Sequence, residues 1–79
     1  MTVDKKMVGA IIKEKRKSKN MKQNQLAEQV ELSRNYISDI ENGRYLPSVE
    51  ALFKIATCLE IDLNTLPMSE IQDTNSVAQ

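Results

Sequence analysis

The chain predicts an all-α fold, a compact five-helix bundle, and three observations carry that expectation. Apolar residues recur three and four positions apart along most of the chain, the period of a helix and not of a strand. The apolar stock is aliphatic: hydrophobic residues fill 41% of the 79 positions, yet only Tyr36, Tyr45 and Phe53 are aromatic. Two Gly and two Pro leave little material for the many turns that a sheet protein needs.

A first helix is expected over residues 7–19, with Val8, Ile11 and Ile12 inward, Lys13, Lys15, Lys17 and Lys19 outward, and Asn20-Met21 breaking it. Gln23 to Val30 reads as a second helix whose apolar face is Leu26, Ala27 and Val30. Ser33 can cap a third helix over 34–42, with Ile37 and Ile40 inward; Gly43 then stands where a helix end wants a residue tolerant of positive φ. Residues 44–47 make a loop, and Ser48 caps a fourth helix with Glu50 in its first turn. Val49, Leu52, Phe53, Ile55, Ala56 and Leu59 give that helix a wide apolar face, which predicts the central core helix. Asp62 can cap a short fifth helix over 63–66, limited by Pro67. The organisation expected is one domain over 1–66 and a polar tail, partly disordered, over 67–79.

Composition excludes several functions. No apolar run approaches a membrane span, and the N-terminal patch lacks a small-residue cleavage site, so neither membrane insertion nor secretion is expected. The single Cys58 cannot form an internal disulfide and reads as a small apolar filler. There is no His, and nothing has the spacing of a metal-ligand cluster; no metal, cofactor or small-molecule ligand is expected. Without a glycine-rich phosphate loop or convergent carboxylates, no enzyme is expected either. These features together predict a protein of a reducing compartment, the cytoplasm.

Charge is more informative than its sum. The net charge is zero, but residues 5–44 carry ten of the eleven Lys and Arg against five acids, while residues 45–79 carry Lys54 against five. The basic half contains the second and third helices, and the location of charge is what steers a chain onto phosphates. The outward face of the third helix is Arg34, Asn35, Ser38, Asp39 and Asn42, residue types that hydrogen-bond base edges and phosphates and do not build cores.

Gln23-x-x-Leu26-Ala27, Ser33, Tyr36-Ile37-Ser38-x-Ile40-Glu41-Asn42-Gly43, Pro47-Ser48 and Leu52-x-x-Ile55-Ala56-x-x-Leu59 resemble the Cro/repressor-like (XRE-type) helix-turn-helix family. That family includes lambdoid phage repressors and restriction–modification controller proteins. The resemblance runs from about residue 8 to 66 and implies a lambda-repressor-like DNA-binding domain. It departs from the family at two places. Lys22 stands where a Ser or Thr usually caps the second helix, a loss of about 1 kcal/mol. Glu31 stands where the turn usually has Gly, which implies either roughly 1 kcal/mol of backbone strain or a slightly different turn.

The resemblance also assigns roles. Arg34, Asn35, Ser38 and Asp39 fall where the family reads the major groove: Arg suits guanine, Asn adenine, and Asp can accept from cytosine N4. Asp39 could instead repel phosphates or hold Arg34 in place. Lys22, Gln23, Ser33, Tyr36, Asn42 and Arg44 are expected on phosphates, although the Tyr36 ring could equally pack on the helix pair. Arg16 and Glu41 are expected to form a structural ion pair between the first and third helices. Leu63, Leu66, Met68 and Ile71 are more apolar than so short a terminal helix can hide, which predicts a homodimer interface. The function implied is a transcriptional regulator, a repressor or autoregulator, whose homodimer binds a near-palindromic double-stranded DNA operator through helix 34–42. An antitoxin-type interaction module that also binds its own promoter is the alternative.

Overall fold

Four helices follow one another in a computed structural model that describes residues 4–63: α1 (Lys5–Ser18), α2 (Gln23–Val30), α3 (Arg34–Glu41) and α4 (Val49–Leu59). There is no strand among the described residues. The five-helix count expected from sequence is therefore four here. Beyond Leu63, the fifth helix over 63–66 and the tail over 67–79 lie outside the described residues.

Each helix begins where a local side chain can accept from its free N–H groups. α1 starts two residues earlier than expected because Asp4 caps it, its carboxylate accepting from the N–H of Lys6 at 3.0 Å and of Met7 at 3.2 Å. The hydroxyls of Ser33 and Ser48 accept from Tyr36 N–H at 3.0 Å and Ala51 N–H at 3.1 Å. Lys22 has no acceptor to offer α2. Instead the Gln25 side chain reaches back and accepts from the Lys22 N–H at 2.8 Å, half of a capping box.

The helix ends share one solution. Asn20, Glu31 and Glu60 adopt left-handed backbone, with φ of 58°, 60° and 59°, and Gly43 does so after α3 at 78°. Each turn is closed by a bond from the residue beyond back into the last helical turn: Met21 N–H to Arg16, Leu32 to Ala27, Arg44 to Asp39 and Ile61 to Ala56, at 2.9–3.1 Å. Three of the four left-handed residues carry a Cβ, at roughly 1 kcal/mol each. The next residue in each case offsets that strain, because Met21, Leu32 and Ile61 each lay an apolar side chain against the core. The strain expected at Glu31 is thus the conformation observed.

The core is aliphatic, as expected: Val8 and Ile12 of α1, Leu26, Ala27 and Val30 of α2, Ile37 and Ile40 of α3, and Leu52, Ile55, Ala56 and Leu59 of α4, closed by Ile61. Ile11 only borders it. The wide apolar face expected of α4 is narrower than its sequence reads. Val49 and Phe53 are 49% and 55% exposed. α4 packs chiefly on α2 and α1, and those two neighbours cover a stripe of roughly 100°. Ala51, Leu52, Ile55, Ala56 and Leu59 fill that stripe, and Val49 and Phe53 fall beside it.

One glycine sets the distance between α1 and α3. A Cβ on Gly9 would run into the Ile40 carbonyl oxygen and stand 3.0 Å from that of Glu41. Backbone cannot yield as a side-chain tip does. Gly9→Ala is therefore expected to destabilise the fold by about 1–3 kcal/mol despite the better helix propensity of Ala. A melting temperature at or above that of the native chain would show that the two helices part freely.

Candidate nucleic-acid interface

Leu26, Ala27 and Val30 on α2, together with Ile37 and Ile40 on α3, hold the two helices across the turn at Glu31–Ser33. Burying both isoleucines turns the other side of α3 outward. Arg34 and Asn35, in its first turn, are exposed and make no side-chain hydrogen bond among the described residues. Ser38 and Asp39 lie one turn along and are half-buried. Arg34 and Asn35 are thus fully available to an outside partner, and Ser38 and Asp39 are less so.

Asp39 does not hold Arg34. Its carboxylate accepts from Arg44 Nη1 at 2.9 Å, across the Gly43 turn. Arg44 is 68% exposed, so the pair is worth at most about 1 kcal/mol to the fold. What it does is neutralise a carboxylate on the otherwise cationic face. Asn42 Nδ2 approaches Ser38 Oγ at 3.4 Å, and Ser33, besides capping α3, keeps its own hydroxyl proton for another acceptor.

The remaining candidates split. Tyr36 is half-buried, its ring against the core, and its hydroxyl oxygen accepts from the Ser48 N–H at 3.1 Å, tying α3 to the start of α4. The phenolic proton is still free to be donated. Lys22 is exposed. Gln23 opens α2 but is half-buried, and its side-chain Nε2 donates to Glu41 Oε1 at 3.0 Å. Glu41 itself is 6% exposed and Arg16 7%. Arg16 Nε and Nη2 donate to the two Glu41 carboxylate oxygens at 2.7 and 3.1 Å, and Arg16 Nη1 donates to the Met21 carbonyl at 2.6 Å. The four residues join α1, α2 and α3 beneath the outward face. Of the residues expected at a subunit interface, Leu63 is half-buried against the core, while Leu66, Met68 and Ile71 lie outside the described residues.

Sequence reasoning missed Lys5 and Lys6. Lys5 Nζ approaches the Arg44 carbonyl at 3.4 Å, and the stem of Lys6 packs over Gly43. Both add positive charge beside the end of α3. Their place in the basic half of the chain was readable, but their inclusion in α1 and the closeness of α1 and α3 that Gly9 permits were not. Among the described residues no group of acids and Cys could hold a metal, and no helix is long and apolar enough to cross a membrane.

Residues 12–66 match the Helix-turn-helix family HTH_3. The chain is 54% identical to the ImmF control region 10 kDa protein of Bacillus phage phi105 over 70 residues, 89% of this chain and 78% of that protein. It is 44% identical over 59 residues to the immunity repressor protein of the same phage, covering 75% of this chain and 41% of the repressor. The chain thus spans less than half the length of that repressor. Among solved structures it is similar to the restriction–modification controller protein C.AhdI from Aeromonas hydrophila, with a TM-score of 0.71 and 32% identity over 75% of this chain and 89% of that one. It is equally similar to the biofilm master regulator SinR in complex with DNA, with a TM-score of 0.70 and 33% identity over 75% and 95% of the two chains. The two helices locked across the Glu31 turn lie at the centre of the matched region, and the chain belongs to the XRE-type helix-turn-helix family of transcription regulators, which are not enzymes.

Proposed function

We propose that this protein acts in the cytoplasm, that it binds a near-palindromic operator in double-stranded DNA as a homodimer, and that it is a repressor or autoregulator with α3 in the major groove. The observation that carries this reading is the face of α3 itself: Arg34 and Asn35 are exposed and unengaged on a helix held rigidly by Ile37 and Ile40. The similarity to SinR, solved with DNA, and to the phage immunity repressor supports it. Arg34, Asn35, Ser38 and Asp39 meet base edges; Lys22, Gln23, Ser33, Tyr36, Asn42 and Arg44 meet phosphates. Leu63, Leu66, Met68 and Ile71 join the two subunits, since one recognition helix alone reads too few base pairs for specificity. Selection of bound duplexes from a random pool should return two related half-sites in inverted orientation. Sedimentation should give about twice the monomer mass at micromolar concentration. A single unrepeated site bound by a monomer would overturn the dimer reading.

Asp39 supplies a sharper check. On DNA, Arg44 leaves it for a phosphate and its carboxylate accepts from a cytosine N4. Asp39→Asn should then weaken binding by about 1–3 kcal/mol per half-site, or change the preferred base at one position only. Affinity that rises on every duplex would show that the carboxylate merely repels phosphates.

A further inference from the structure

We propose that Glu41 is a positioning residue for DNA binding, acting through the side-chain amide of Gln23. The inference rests on the proposed role of Gln23 as a phosphate contact. Gln23 is the first residue of α2, where the helix N–H groups and dipole favour an anion. Its amide is not loose at that position. Glu41 Oε1 accepts from Gln23 Nε2 at 3.0 Å and from Arg16 Nη2 at 3.1 Å, and Oε2 accepts from Arg16 Nε at 2.7 Å. A carboxylate has lone pairs and no proton to give, so only the NH2 end of the amide can face it. The bond therefore settles which end of Gln23 meets Glu41, and it occupies one of the two N–H groups. The second N–H of the same nitrogen is left for another acceptor, and a phosphate oxygen is a fitting one.

Arg16 prevents the arrangement from shifting. Its guanidinium chelates the carboxylate and is itself anchored on the Met21 carbonyl at 2.6 Å, immediately before α2. No buried side-chain nitrogen or oxygen among the described residues lacks a partner, so the network beneath Gln23 is complete before DNA arrives. A free Gln must order three rotatable bonds when it meets DNA, and Glu41 has ordered them in advance. Glu41 itself is 6% exposed and cannot reach DNA, so any effect it has on affinity must pass through a neighbour.

The experiment compares Gln23→Ala in two backgrounds, the native chain and Arg16→Met/Glu41→Leu, on a cognate and a scrambled duplex, with a melting curve on every variant. In the native background the loss should be about tenfold and similar on both duplexes. In the apolar-pair background it should shrink to about twofold or less, because the amide is already unheld. Equal losses in the two backgrounds would leave the phosphate contact standing and overturn the positioning role. No loss in the native chain would remove the phosphate reading and the positioning role together.

Should the double variant fail to fold, nitrogen–proton spectra of the native chain decide, with Gln23→Ala assigning the amide. One of the two Gln23 amide protons should move on titration with duplex while the one bonded to Glu41 holds its shift. If both move together, or neither moves, Glu41 does not set the amide.

Discussion

Arg16→Met is expected to lower stability by about 3–5 kcal/mol, the usual loss when one partner of a buried ion pair is removed. A chain of this size holds a total of about 4–12 kcal/mol, so the variant sits near the edge of folding. The size of the effect comes from what remains. Glu41, 6% exposed, keeps a carboxylate without its guanidinium, and the Met21 carbonyl loses the 2.6 Å bond that joins the end of α1 to the start of α2. Gln23 can supply only a neutral donor. Arg16→Met/Glu41→Leu should recover part of the loss, since an apolar pair of similar volume carries no desolvation cost. The melting temperature reads both results, with a fall of more than about 12 °C for the single change and a smaller one for the double. If the losses of the Arg16→Met and Glu41→Leu single variants simply add in the double variant, the two residues do not act as a pair.

What could be read from the sequence was what neighbouring residues decide among themselves. Ser33 and Ser48 cap α3 and α4 because their hydroxyls need only the N–H three residues on. The spacing of Leu26, Ala27, Val30, Ile37 and Ile40 specifies the two buried faces, and Gly43 takes the positive φ expected of it. What could not be read depends on what stands opposite. Periodicity makes Val49 and Phe53 part of the α4 face, but it says nothing of how many neighbours that helix has, and both are half exposed. Gly9 looks like an ordinary helical residue, and only the Ile40 and Glu41 carbonyls explain it. The link from Asp39 to Arg44 crosses a turn, whereas Arg34, the partner that sequence suggests, stands on the same helix and remains unengaged. Position at a helix start gives Gln23 an outward role only, because the carboxylate it meets lies 18 positions away.

Arg34→Ala is expected to cost about 1–3 kcal/mol at each half-site of the cognate operator, so about 2–6 kcal/mol for a dimer that uses two. The side chain is exposed in the first turn of α3 and has no partner among the described residues, so its removal leaves no buried group unsatisfied. Stability should stay within about 0.5 kcal/mol, which separates this change from Arg16→Met. Base reading and phosphate contact differ in how they fail. A residue that chelates guanine O6 and N7 loses affinity on the cognate duplex alone and relaxes preference at one base pair. A residue that contacts phosphate loses it on every duplex and lowers the salt dependence. Binding should therefore be measured on cognate, singly substituted and scrambled duplexes at two salt concentrations. An equal loss on all of them, with a shallower salt slope, would make Arg34 a phosphate contact and move the reading face of α3 to Asn35, Ser38 and Asp39.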